Sequence, residues 1–367
     1  MKRQTRSLLM VLALAAMVTG MLAACDHHST RVTDDLQFEL FQAHLHTPYV
    51  VGAKPTIMVT HGGDSVVGWK VESTDSSVIS VGQEKPYEDR NTLYVPIEAV
   101  SPGTADLRIL NNAGKLVTTR TVQVEAPDRI ELVHAGLKKI MKQDAPVLTD
   151  GDTVQILIRG TGTFEVLYYH EGHRVFGNGV LEPVSSSEDL TATPKTTFLF
   201  ENREWLTLSP NRFAETNSVD LMVGGVRLGR ISVESVDATA IARVEIDAES
   251  TDGLKKDDTF YLMARALDDQ DRDIFGVDAH WSVDNVEQTG EGDLFEATYD
   301  SGKTATVTAQ VGDVQDSVEV HTSGGTVQTS NTIGCSTVPV TGAWPLFLAL
   351  LGMAMMARRR RRQTMRR

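Results

Sequence analysis

The chain has 367 residues, with 35 Lys and Arg against 49 Asp and Glu. That length suggests two or three domains, enough to bury several modest cores. Three of the basic residues precede Cys25, seven follow Cys335 and every acid lies between the two cysteines, so the middle carries 25 basic side chains against 49 acids, a net charge of −24. A surface of that sign repels phosphate backbones and anionic headgroups, which argues against nucleic-acid binding and electrostatic membrane docking, and suits cations or basic partners better.

Cys25 and Cys335 are the only cysteines, and both sit in terminal segments. The middle therefore holds together by packing, without an internal disulfide. Residues 1–24 have a basic start, an apolar stretch from Leu8 to Val18 and then small residues, the layout of a secretory signal too short to span a bilayer comfortably. The stretch Leu22-Ala23-Ala24-Cys25 resembles the lipobox of bacterial lipoproteins. That resemblance implies a diacylglycerol on the Cys25 sulfur and cleavage before it by signal peptidase II, and acyl chains in pairs give stable anchoring.

The middle reads as a repeat array. Phe38-Glu39-Leu40, Ile130-Glu131-Leu132 and Val244-Glu245-Ile246 each open a unit; Val122-Gln123-Val124, Ile231-Ser232-Val233 and Val318-Glu319-Val320 each close one. The units so defined cover 35–126, 128–236 and 241–322, each about the size of a β-sandwich. In the first, short β-branched runs such as "PTIMVTH" and "NTLYVPIEAV" alternate between Gly, Asn, Asp and Pro turns, with no sustained helical period. Within that unit "HGGDS" at 61–65 has the look of an esterase oxyanion loop, but the chain lacks the Gly-x-Ser-x-Gly elbow such a loop serves, and a turn is expected.

The second unit is less regular. "GTFEVLYYHEGHRVFGNG" reads as a hairpin, and Trp205 stands in "REWLTLSP". His170, Glu171 and His173 invite a zinc site, yet their spacing is not that of two histidines one helical turn apart, and Glu-Gly between apolar runs is turn chemistry. Tyr168, Tyr169 and Phe176 are the one aromatic group that could serve a carbohydrate, and strand packing explains them equally well.

The third unit repeats the first. "GWKVES" from Gly68 becomes "HWSVDN" from His280, so Trp69 and Trp281 hold matching places on a central strand. The acidic run "DDQDRD" places Asp268, Asp269, Asp271 and Asp273 together, hard oxygen donors that could hold a weak calcium ion, though without the Gly and distal Glu of an EF-hand loop. A solvated loop is the plainer reading. No other cofactor, and no enzyme, is expected, since no nucleophile, phosphate loop or cofactor fingerprint is present.

The segment 323–334, "SGGTVQTSNTIG", reads as a flexible Ser/Thr/Gly linker. Residues 335–367 then give Cys335, an apolar run with Pro345 and Gly352 in it, and Arg358 to Arg362, which by the positive-inside rule would stay cytoplasmic.

Two resemblances follow from these residues. "VESTDSSVISV", "AVSPGTADLRI" and the paired tryptophans make the first and third units similar to bacterial Ig-like domains of the group 2 type, which implies an all-β array of tandem sandwiches. The order Gly334-Cys335, short transmembrane span, arginine cluster resembles the MYXO-CTERM sorting signal, which implies processing near Cys335 by a myxosortase-like protease and transfer to the cell surface. Together they imply an exported, membrane-anchored surface protein with a structural, spacer or adhesive role. The alternative is a carbohydrate- or cation-binding envelope protein.

Overall fold

In the strand Thr56–His61, Ile57 and Val59 point inward between outward-facing neighbours, and Thr92–Ala99 beside it buries Leu93, Val95, Ile97 and Ala99 in the same alternating way. Facing them, Gly103–Leu110 supplies Ala105, Leu107 and Ile109, and Leu116–Glu125 supplies Val122 and Val124. Two half-buried sheets of period two close on one apolar layer. The computed structural model describes residues 30–33, 45–62, 64–86, 91–196, 203–213 and 217–330. The signal segment 1–24, Cys25, the opening motif at Phe38, and Gly334, Cys335 and the rest of the terminal segment lie outside the described residues. Among the described residues no helix is long and apolar enough to cross a membrane.

The chain forms Ig-like β-sandwiches, and in the first two the opening segment changes sheets in the same manner. In the first, Thr30–Thr33 pairs antiparallel with Thr56–His61, and Tyr49–Val50 then pairs parallel with the end of Leu116–Glu125. In the second, Arg129–His134 pairs antiparallel with Gly162–His170, and Thr153–Leu157 pairs parallel with Val226–Val236. Between those two strands the chain makes a seven-residue helix, Ala135–Met141, which buries Leu137 and Ile140. The irregular unit therefore has the sandwich topology with a helix inserted in its opening strand. Its hairpin turns at Glu171 and Gly172, both at positive φ, the geometry that suits tight hairpins.

The third sandwich sets Arg243–Ala248, Thr259–Leu267 and Leu294–Tyr299 against His280–Val283, Ala305–Val311 and Val314–Val320. Trp281 is 1% exposed, stacks on Phe295 at 5.4 Å between ring centroids and donates its indole N–H to the Gly292 carbonyl at 2.8 Å. Trp69, immediately before the equivalent strand Lys70–Ser73, is 8% exposed and tilts against His61.

Two features depart from the sequence reading. The short strand Asp273–Phe275 pairs antiparallel with Thr259–Leu267 and also parallel with Thr153–Leu157, so one nine-stranded sheet runs from the second sandwich into the third. The tract expected to be a flexible linker is in its first part a strand: Thr322–Gln328 pairs antiparallel with Leu294–Tyr299. Its glycines serve close approach instead of freedom, because a Cβ on Gly325 would stand 2.2 Å from the Glu296 carbonyl oxygen.

Candidate functional site: the joints between sandwiches

The residues that stand out in the sequence as candidate ligands are gathered at two places where one sandwich meets the next. At the joint between the first and second, the hairpin tip reaches back to the connecting segment. The Glu171 N–H donates to Asp128 Oδ2 at 2.7 Å, His173 Nε2 lies 2.5 Å from Glu125 Oε2, and His170 Nδ1 is 3.8 Å from Asp128 Oδ2. The two imidazoles meet edge to face with centroids 5.7 Å apart, and each turns toward a different carboxylate. Beneath them the backbones pair directly: Val50 N–H donates to the Phe176 carbonyl and Phe176 N–H to that of Pro48, each at 2.8 Å. The joint is a piece of sheet capped by two His–carboxylate contacts.

The aromatic group is divided in the same way. Tyr168 is core, and its hydroxyl donates to the buried Glu204 Oε2 at 2.6 Å. Burial pushes the Glu204 carboxyl up, against the N–H groups of Val180 and Leu181 and the Tyr168 hydroxyl that favour its charged form. Tyr169 lies under the Arg129 guanidinium at 4.5 Å, and Phe176 sits 5.3 Å from the His46 ring. The three do not form one exposed platform.

At the joint between the second and third sandwiches the acidic run is taken up by arginines. Asp268 is buried and accepts from the backbone N–H groups of Gln270 and Arg272, from Arg272 Nε at 2.7 Å and from Gln155 Nε2 at 3.1 Å. Gln155 lies on the second sandwich and also donates to Glu234 Oε2, which in turn meets Arg272 Nη1 at 3.3 Å. Burial works against the charged form of Asp268, and the Arg272 and Gln270 N–H groups with the Arg272 and Gln155 side chains more than offset it, holding its carboxyl down to about 2. Asp273 makes a two-point contact with Arg265, whose third arm reaches Asp247 at 3.0 Å. Asp271 pairs with Arg243, and Asp269 is exposed. Three of the four carboxylates expected to share a calcium ion are thus directed to separate partners while Asp269 faces solvent, and among the described residues no group of three or more metal-ligating side chains converges.

The rest of this joint is apolar and tight. His134 stacks on Phe275 at 4.2 Å, and Phe164 meets the same ring edge-on at 5.6 Å. Burial holds the His134 imidazole down to about 3, so it is neutral, with Nδ1 accepting from the Leu137 N–H. On the helix, Lys139 lies over the Tyr261 ring at 4.1 Å, and just past its end Lys142 meets Glu249 at 2.7 Å. Where the chains cross, Gly160 and Gly276 touch backbone to backbone: a Cβ on Gly160 would stand 2.2 Å from the Gly276 carbonyl oxygen.

Sequence reasoning misses Gly160, Gly276, Gln155, Glu234 and His134, because none carries a local signature; they become partners only through the parallel pairing of distant strands. In "HGGDS", of which Gly63 lies outside the described residues, Asp64 N–H donates to the His61 carbonyl at 2.7 Å.

Neither a family model nor a curated protein matches the chain. Among solved structures, domains 4–9 of the surface layer protein SbsC align with 80% of this chain and 46% of that one, at 14% identity and a TM-score of 0.33. The Escherichia coli adhesin FdeC aligns with 81% of this chain and 97% of its own at 13% identity and a TM-score of 0.26. Invasin, a bacterial integrin-binding protein, aligns with 80% and 59% at 16% identity and 0.24. This chain spans less than half of the first structure. Likeness at this level carries no argument about function, and the Ig-like fold stands on the strand pairing itself.

Proposed function

We propose that the chain is an exported protein of the cell envelope whose sandwiches form a stiff tandem with a structural, spacer or adhesive role. The observation that carries this reading is the nine-stranded sheet that continues from the second sandwich into the third through Thr153–Leu157 and Asp273–Phe275. A spacer resists bending only if its modules share structure, and here His173, Glu171 and Asp268 are each tied to a residue of the neighbouring sandwich or of the segment leading from it. A tandem whose loops served a ligand would keep those residues free.

Attachment belongs to the two ends: Cys25 as the lipid-bearing first residue after signal peptidase II, and Gly334-Cys335 as the processing point of a myxosortase-like protease. Mass spectrometry of the native protein tests this directly. Acylated Cys25 at the amino end and loss of Arg358 to Arg362 are expected. An unmodified amino end at another residue would remove the lipid anchor, and a tag after Arg367 that persists on the surface protein would remove the sorting signal.

A further inference from the structure

The three sandwiches differ in how one sheet edge is closed. In the first, the strand beside Thr92–Ala99 is Ile79–Val81; in the second, the strand beside Glu204–Pro210 is Leu190–Thr196. Each comes from the chain just before the strand that it covers. In the third, the corresponding stretch gives only Val286–Glu287, which turns back onto His280–Val283 and leaves the outer edge of Leu294–Tyr299 uncovered from that side. The edge is closed instead by Thr322–Gln328, which follows the last strand of the sandwich. Without it the sheet would present a row of unpaired backbone groups to solvent.

The seat for this strand is built and selective. At one end Thr322, 2% exposed, donates its hydroxyl to the Thr298 carbonyl at 2.8 Å. At the other, Ser330, also 2% exposed, donates its N–H to Asp293 Oδ1 at 2.7 Å. Between them Gly325 lies opposite Ala297, where a Cβ would meet the Glu296 carbonyl oxygen at 2.2 Å and Phe295 Cζ at 2.7 Å. The seat also touches the core: a Cβ on Gly292 would stand 2.1 Å from the Gln328 carbonyl oxygen, and the Gly292 carbonyl holds the Trp281 indole. An ordinary extended peptide with a side chain at the Gly325 position does not fit.

We propose that the edge of Leu294–Tyr299 is a strand-accepting site, closed by residues 322–330 of the same chain and open to the same segment of a second copy once its own is displaced. The second copy is the fitting partner because its segment carries the required glycine between Thr322 and Ser330 by identity. Displacement breaks the pairing of one strand edge alone, since the segment is outermost in its sheet, and His321 is the residue that links it to Val314–Val320. Exchange of this kind joins third sandwiches side by side and costs no new interface. It does not rest on the mode of membrane attachment.

The test uses the full chain, its Gly325→Val variant and a labelled synthetic peptide of Thr322 to Ser330. Wild-type protein should resist proteolysis within 322–330 and leave the peptide unbound. Gly325→Val should be cut there and should bind the peptide, but not a peptide with valine at the Gly325 position. Mixed isotopically labelled wild-type samples, cross-linked after concentration, should give links from 322–330 of one copy to 294–299 of another. Ser330→Pro, which removes the latch and spares the seat, should repeat the Gly325→Val result should that variant unfold. Cutting of wild-type protein within 322–330, or a folded variant that ignores the peptide, would overturn the acceptor site; peptide binding with links inside single copies alone would overturn the second copy as partner.

Discussion

Gly160 of the second sandwich and Gly276 of the third are in backbone contact, so close that neither position has room for a Cβ: one on Gly276 would stand 2.6 Å from the Thr161 nitrogen. Gly276 also holds φ at +75°. Gly276→Ala should therefore cost about 1–3 kcal/mol through backbone strain alone, and Gly160→Val should force the crossing apart. The expected signature in calorimetry is that a shared unfolding transition of the two sandwiches splits into two. A single transition with unchanged midpoint in both variants would show that the contact does not couple them.

Asp268→Asn leaves Arg272 and Gln155 facing a weaker acceptor in a buried place and should cost about 1–3 kcal/mol. Because the Asp268 carboxyl is held down to about 2, its contribution is complete above the unfolded value of about 3.9 and fades only as the pH falls toward 2. Denaturant titration of both proteins at neutral pH and near pH 2 checks this, with the difference between them shrinking at the lower pH. Calcium should leave the unfolding temperature unchanged, since Arg272 and Arg265 already neutralise Asp268 and Asp273.

His134 and Asp293 should give opposite pH dependences. His134 is held down to about 3, so between about 6.5 and 3 the unfolded chain binds a proton that the folded one refuses, and stability falls with acid by up to about 1.4 kcal/mol per pH unit. Asp293 is pushed up to about 6 by burial, so between about 6 and 4 the folded state holds the extra proton and stability falls as the pH rises. The two slopes oppose each other across that window. His134→Phe should leave a protein that loses stability from pH 4 to 6, and Asp293→Asn one that gains it. Stability curves of equal slope for the two variants would contradict both assignments.

Trp281 and Trp69 occupy equivalent places, so truncating either to Ala should cost about 3–5 kcal/mol in its own sandwich. Trp281→Ala also removes the donor to Gly292 and should expose residues 322–330 to protease, whereas Trp69→Ala should not. Equal protection of that segment in both variants would break the link between the third core and its closing strand.

The tandem of sandwiches was legible where one face of a strand is wet. Thr56–His61 and Thr92–Ala99 alternate, and the Trp-x-Val pattern repeats because the same strand recurs. The second unit looked irregular because Gly162–His170 is buried along most of both faces, so Phe164, Glu165, Val166 and Leu167 follow one another without alternation. The closing strand was hidden for a different reason: glycine reads alike whether it serves flexibility or close approach, and only the neighbouring Glu296 carbonyl decides which. "DDQDRD" suggested cation ligands because Gln155, Glu234 and Arg243 lie elsewhere in the chain, and the joint appears only once Thr153–Leu157 pairs with Asp273–Phe275.

The proposed stiffness of the tandem requires the second and third sandwiches to move as one piece. Spin labels at two exposed sites, Glu188→Cys and Asp313→Cys, in full-length protein whose native cysteines are replaced by serine, report that relation as a distance distribution between electron spins. A stiff joint gives one narrow distribution in the parent protein that broadens when Gly160→Val is added. A broad distribution in the parent, unchanged by Gly160→Val, would show that the two sandwiches move independently.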